Sequence, residues 1–168
     1  MRFVAAVCLA LVATFGAPSF VFAKSAHVHK VLFVCTGNFY RSRFAEALFN
    51  EKHPKQWTAF SRGLDTSKPR NTPVSPLVAT ELERRHIATP TTTPQQLTQA
   101  DLDAADLIVL LDGEEHAPML KAQFPKLALD KVKSWSVADV PKLAAPKAFT
   151  AIEHDTDALI GELGKVEP

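Results

Sequence analysis

The chain has 168 residues, of which 46% are hydrophobic and 22% charged, the proportions of a soluble globular protein with one buried core. Its formal net charge is +1, and Arg2 is the one charged residue before Lys24, so a chain starting at Lys24 has net charge zero. That balance argues against general nucleic-acid binding and against an electrostatically held membrane protein.

In chain order, the first segment reads as an export signal, residues 1–23. Arg2 supplies a positive start, Val4 to Phe15 is an apolar run short for a bilayer, and Gly16 and Pro18 break it. Val21-Phe22-Ala23 then places small side chains where a signal peptidase inspects them. An uncleaved membrane anchor is the alternative, because Phe20 to Phe22 prolong the hydrophobicity. Cleavage leaves residues 24–168 as a single domain, exported to a periplasm or secreted, with no stable membrane insertion. Cys8 leaves with the signal, and Cys35 then has no partner for an internal disulfide. The common fate of such a cysteine is an inert place in the core.

His29 to Val34 is a nearly continuous apolar run, suited to a strand buried on both faces. Arg41 to Lys52 switches to helical spacing, with Phe44, Ala45, Leu48 and Phe49 on one stripe. Gln56 to Ser61 reads as a second strand closed by Gly63. A helix begins at Pro73 with the stripe Val74, Leu77, Val78 and Leu82, and ends near Ile87. Ala88 to Pro94 is a Thr/Pro-rich loop, and a short helix follows over Thr98 to Ala104. Leu107 to Leu111 is a third strand, Glu114 to Phe124 a helix, and Val132 to Val137 a fourth strand. Pro141 to Pro146 is irregular, and the last helix buries Phe149, Ile152, Leu159 and Leu163. Alternating strands and helices predict an α/β fold, a four-stranded parallel sheet flanked by helices in three layers. Ligands of such sheets bind beyond the carboxyl ends of the strands, where Cys35 lies.

The segment after the first strand reads Cys35-Thr36-Gly37-Asn38-Phe39-Tyr40-Arg41-Ser42, a C-x5-R-S pattern. Gly37-Asn38 can take the positive φ that a tight cradle needs. Five intervening residues let backbone N–H groups converge on one anion above the helix N-terminus. Arg41 can add a planar fork to two phosphate oxygens, and the positive field favours the Cys35 thiolate. Ser42 has two candidate roles, donating to the sulfur or capping the helix. Phe39 and Tyr40 either line the mouth of the loop or pack inward.

Val31 to Phe49 (V-L-F-V-C-T-G-N-F-Y-R-S-R-F-A-E-A-L-F) resembles the low-molecular-weight protein tyrosine phosphatases. Ser61-x-Gly63 and Asp106-Leu-Ile-Val-Leu-Leu-Asp112 extend the likeness, in order, over essentially the whole chain after residue 23. The resemblance implies a cysteine-dependent phosphomonoester hydrolase acting through phosphocysteine, with Cys35, Arg41 and Asp139 catalytic. It implies that Thr36, Gly37, Asn38, Phe39, Tyr40 and Ser42 form the substrate loop, with Asn38 holding its shape. The partner is then a phosphorylated protein or a small phosphomonoester, with no metal and no cofactor. This chain departs from the family pattern in Arg43 for the usual proline, Tyr40 for a frequent second cysteine, and Asp139-Val140 for Asp-Pro. Asp130 precedes the fourth strand and Asp155 and Asp157 lie within the last helix, which leaves Asp139 beyond a strand's carboxyl end. His27 and His29, next to Lys24, are too few to predict a metal site. The rival readings are an arsenate reductase drawing on an external thiol and a non-catalytic oxyanion binder. The segment Leu64 to Thr72 offers no aromatic to clamp a phosphotyrosine ring.

Overall fold

The computed structural model describes residues 28–52 and 54–165. The segment read as an export signal, and with it Cys8 and His27, lies outside the described residues. The elements run β1 (His29–Cys35), α1 (Arg41–Glu51), β2 (Trp57–Gly63), α2 (Pro76–Arg84), α3 (Gln99–Ala104), β3 (Leu107–Leu110), α4 (Gly113–Gln123), β4 (Val132–Ser134) and α5 (Ala145–Leu163). All sheet pairings are parallel, in the order β2-β1-β3-β4. The predicted three-layer α/β architecture is the observed one.

Side-chain alternation in the central strands decides the layers. Val31 and Phe33 of β1, with Leu107 and Val109 of β3, face a core built with Phe44, Leu48 and Phe49 of α1 and Phe149 and Ile152 of α5. Leu32, Val34, Ile108 and Leu110 point the other way, onto Leu64, Leu97, Leu102 and Leu120. A strand with apolar side chains on both faces is stable only between two helical layers, which is why β1 and β3 are central.

Two elements differ from the sequence reading. The second helix starts at Pro76, not Pro73: Ser75 caps it by accepting from the Val78 N–H at 3.3 Å, with Pro76 in the first turn. Val74 is buried ahead of the helix, whereas Leu77 is 47% exposed and leaves the apolar stripe. The fourth strand stops at Ser134, because the chain beyond it bends across to the end of β3. There the Trp135 and Val137 N–H groups donate to Leu110 and Leu111 carbonyls, and Trp135 O accepts from Gly113.

Among the described residues no helix is long and apolar enough to cross a membrane.

Candidate active site

The carboxyl ends of β1, β2 and β3 meet at the loop of residues 36–40. Cys35 is the last residue of β1 and pairs in register with Gly63 of β2. Gly63 has to be glycine: a Cβ there would stand 2.9 Å from both the Asn38 backbone N and the Thr36 carbonyl O. The second strand therefore packs flush under the loop. Within the Gly37-Asn38 pair positive φ falls on Asn38, at 47°, and not on Gly37. The asparagine tolerates that conformation because its side chain is bonded on every side. Its Nδ2 donates to Ser61 Oγ at 2.7 Å and to Ser42 Oγ at 3.2 Å, and its Oδ1 accepts from the Gln95 N–H at 2.9 Å. Asn38 is completely buried, and it pins the loop to α1, β2 and the segment before α3.

Cys35 Sγ lies 3.0 Å from Ser42 Oγ. Because Asn38 already donates to that hydroxyl, its own hydrogen is free for the sulfur, which stabilises a thiolate. Tyr40 precedes α1 with no side-chain cap present, so of Ser42's two candidate roles the contact with sulfur is the one made. Within the described chain, the backbone N–H groups of residues 36–40 have no protein acceptor. They stand at the N-terminus of an eleven-residue helix, where such donors collect an anion.

Arg41 is 1% exposed and lies among carboxylates. Its Nη1 donates to Glu115 Oε2 and to the Val137 carbonyl, each at 3.1 Å. Its Nη2 donates to Glu115 Oε2 and to Asp139 Oδ2, again at 3.1 Å, and Asp112 stands 3.9 Å away. The buried Nε–H has no partner among the described residues. Glu115 also accepts from the Thr36 hydroxyl through its other oxygen. One carboxylate thus ties the first residue of the loop to the arginine that closes it. Burial pushes the Glu115 carboxyl up, but the Thr36 hydrogen bond and the Arg41 charge outweigh this and hold it below its usual range. His116, fully buried, accepts from the Asp112 N–H on Nδ1 at 3.0 Å, so Nε2 carries the proton and donates to Thr36 Oγ at 3.3 Å. Burial, reinforced by Arg41, pushes its pKa down to about 4, so it is a neutral structural support.

Glu115 and His116 are the parts of the site that sequence reading missed. The available signal was their position just past the third strand's carboxyl end. Arg43, which replaces the family's usual proline, is 2% exposed. It donates to Glu46 at 3.0 Å and to the carbonyl and hydroxyl of Thr92, and Glu46 accepts from Ser61 at 2.6 Å. A hydrogen-bonded chain therefore runs from Arg43 through Glu46, Ser61, Asn38 and Ser42 to the Cys35 sulfur.

A cavity of about 440 Å³ opens over the loop, and Cys35, Arg41, Phe39 and Asp139 are among the residues that line it. Tyr40 contributes to the wall yet is 7% exposed and packs edge-on against Phe149 at 5.5 Å. Burial, with Asp139 nearby, pushes its phenol up to about 12. Phe39 stays half-buried on the wall, so the two aromatics divide between mouth and core. Of the competing aspartates, Asp157 pairs with Lys52 at 2.6 Å and Asp155 contacts His154 at 3.1 Å, both on α5. Asp130 precedes β4, away from the cavity. Asp65, which the sequence reading had not weighed, shares the cavity wall with Asp139. Hydrogen bonds from Ser67 hold its carboxyl below the usual range.

A cysteine ending the first strand of a β2-β1-β3-β4 parallel sheet, with its C-x5-R-S loop under the cavity, defines the low-molecular-weight phosphatase class. The sequence profile of the low molecular weight phosphotyrosine protein phosphatases matches residues 30–139, and the chain belongs to this family. It is 40% identical over 95 residues to the low molecular weight protein-tyrosine-phosphatase PtpB of Staphylococcus aureus. That match covers 56% of this chain and 64% of PtpB, less than two thirds of the relative's length. YfkJ from Bacillus subtilis superposes with a TM-score of 0.75 at 22% identity, over 86% of this chain and 100% of that one, a likeness of fold. The low molecular weight protein tyrosine phosphatase from T. tengcongensis gives a TM-score of 0.66 at 29% identity, over 82% and 98%.

Proposed function

We propose that the protein is a cysteine-dependent phosphomonoester hydrolase, with Cys35 as nucleophile, Arg41 as the phosphate-binding cation and Asp139 as the proton donor. One observation carries this reading: the Cys35 sulfur and the loop N–H groups that have no protein acceptor stand with Arg41 under one cavity. A tetrahedral phosphate satisfies that set of donors. In the first step the Cys35 thiolate attacks phosphorus in line and the bond to the leaving oxygen breaks. The loop N–H groups and Arg41 hold the equatorial oxygens, while Asp139 passes its proton to the departing alcohol or phenol. Asp139 is paired with Arg41 in the free site. A phosphate that takes over the guanidinium releases the carboxylate from that pair, so that it can face the leaving oxygen. In the second step water attacks the phosphocysteine, its proton goes to Asp139, and sulfur departs as a thiolate stabilised by Ser42. Thr36, Gly37 and Phe39 form the floor and wall, Tyr40 buttresses the wall from the core, and Asn38 holds the loop's shape.

Reduced protein is expected to hydrolyse p-nitrophenyl phosphate, and Cys35→Ser to abolish turnover while still binding inorganic phosphate. Unchanged turnover in that variant, or none in the parent, removes the reading. The substrate class is a phosphorylated protein or small phosphomonoester. Cys35 is the one cysteine among the described residues, which favours phosphoryl transfer over a thiol relay within the chain.

We further propose export, supported by the n-region, short apolar run and small residues of residues 1–23. Sequencing the N-terminus of protein recovered from outside the cytoplasm is expected to begin at Lys24. An intact Met1 terminus there would contradict the proposal.

A further inference from the structure

The wall of the cavity contributed by the segment after β2 carries two positive charges that the proposed hydrolysis does not use. Lys68 and Arg70 both line the cavity above Cys35, and both are exposed. Neither makes a salt bridge with a carboxylate among the described residues, whereas Arg41, Arg43, Arg62, Arg84 and Arg85 all do. Arg70 is not free to wander: its guanidinium carbon sits 4.3 Å over the ring of Phe39, a residue of the loop itself. That contact also covers one face of the aromatic ring that lies half-buried on the wall. Asp65 shares the wall, but its carboxylate accepts from the Ser67 N–H at 3.0 Å and offsets only one of the two charges. On the floor, Glu115 and Asp139 already compensate Arg41. A second negative group on a substrate therefore finds its counter-charge on the wall and not at the floor.

We propose that Lys68 and Arg70 form a subsite for a second anion, so that the preferred substrate is a phosphomonoester whose leaving group itself carries a carboxylate or phosphate. This rests on the phosphate-over-Cys35 reading above, and it specifies the substrate class. The shared chemistry is an anion next to the reacting phosphate. It can come from an acidic side chain flanking a phosphorylated residue or from the second phosphate of a small molecule.

The test is calorimetric titration of the intact, reduced protein with benzylphosphonate and with 4-carboxybenzylphosphonate. The doubly anionic probe is expected to bind about five- to tenfold more tightly, with the advantage shrinking as salt is raised. In Lys68→Gln/Arg70→Gln the ratio of the two affinities is expected to fall to about one. Equal binding by the parent, or a preference that the double variant keeps, overturns the proposal. Two further pairs separate the sources. One compares peptides bearing phosphonomethyl-phenylalanine with acidic or neutral flanks, and the other a hexose bisphosphate with a hexose monophosphate. A preference in either pair supports the subsite and names its ligand; none in both overturns it. Turnover of p-nitrophenyl phosphate is measured alongside. Its absence together with a preserved affinity ratio counts against the hydrolase and leaves the subsite standing.

Discussion

Arg41→Lys is expected to lower kcat/KM for p-nitrophenyl phosphate about a thousandfold, in the range seen when a preorganised transition-state donor is removed. Lysine keeps the charge but not the fork, and the fork is what this site is built around. Three of its nitrogen positions have distinct tasks: Nη1 and Nη2 are tied to Glu115, Val137 and Asp139, and Nε is left unpaired. An ammonium cannot hold those anchors and still present a donor pair to phosphate. Loss of the fork also leaves Glu115 and Asp139 with fewer of their hydrogen bonds to the cation, so the variant should bind inorganic phosphate more weakly as well. Glu115→Gln is the milder companion. It keeps the shape and the contact to Thr36 but removes a charge-assisted bond, and is expected to cost about tenfold in kcat, or about 1.4 kcal/mol of barrier. Steady-state kinetics with phosphate as competitive inhibitor checks both. Parental kcat in Arg41→Lys would remove the arginine from the mechanism.

Asp139→Asn is expected to divide substrates by leaving group. With phenyl phosphate, whose phenoxide is a more basic leaving group than p-nitrophenolate and needs a proton as the bond breaks, kcat should fall about a hundredfold or more. With p-nitrophenyl phosphate the leaving phenolate is stable by itself and the loss should be much smaller. Asparagine can still face Arg41, so the difference between the two substrates reads the proton and not the packing. Asp139 is suited to the task by its place: Oδ2 reaches Arg41 at 3.1 Å while Oδ1 accepts from the Val140 N–H at 2.9 Å. The side chain is thus anchored at the cavity although valine stands where the family's proline usually does. Equal losses on both substrates would mean that the acid lies elsewhere.

The pattern of strands and helices was legible because both central strands are apolar on both faces and the helices carry amphipathic stripes. The misplaced start of the second helix shows the limit of that logic. Val74 and Leu77 fit a helical stripe by spacing, but Ser75 supplies the cap, and hydrogen bonding at a helix end outranks the spacing of two apolar residues. The sequence leaves Ser42 open between cap and sulfur partner. Only the approach of Asn38 and Cys35 to its hydroxyl separates the two.

By itself the sequence determined what is local: a buried strand ending in Cys35, a five-residue loop and a helix opened by Arg41. Eight consecutive residues carry that motif, and their spacing places the sulfur and the guanidinium at the two ends of one loop. Tertiary structure decided what surrounds the arginine. Glu115, Val137 and Asp139 lie 74, 96 and 98 positions along the chain from Arg41. They meet it because parallel pairing of β1 with β3 and of β3 with β4 brings all the carboxyl ends to one edge. Asp139 is expected at this place because the family pattern marks it. Glu115 is not, since its place past the third strand's carboxyl end does not by itself distinguish a solvated helix-start glutamate from one folded onto a buried cation. Parallel-sheet register, which no short motif encodes, makes that distinction.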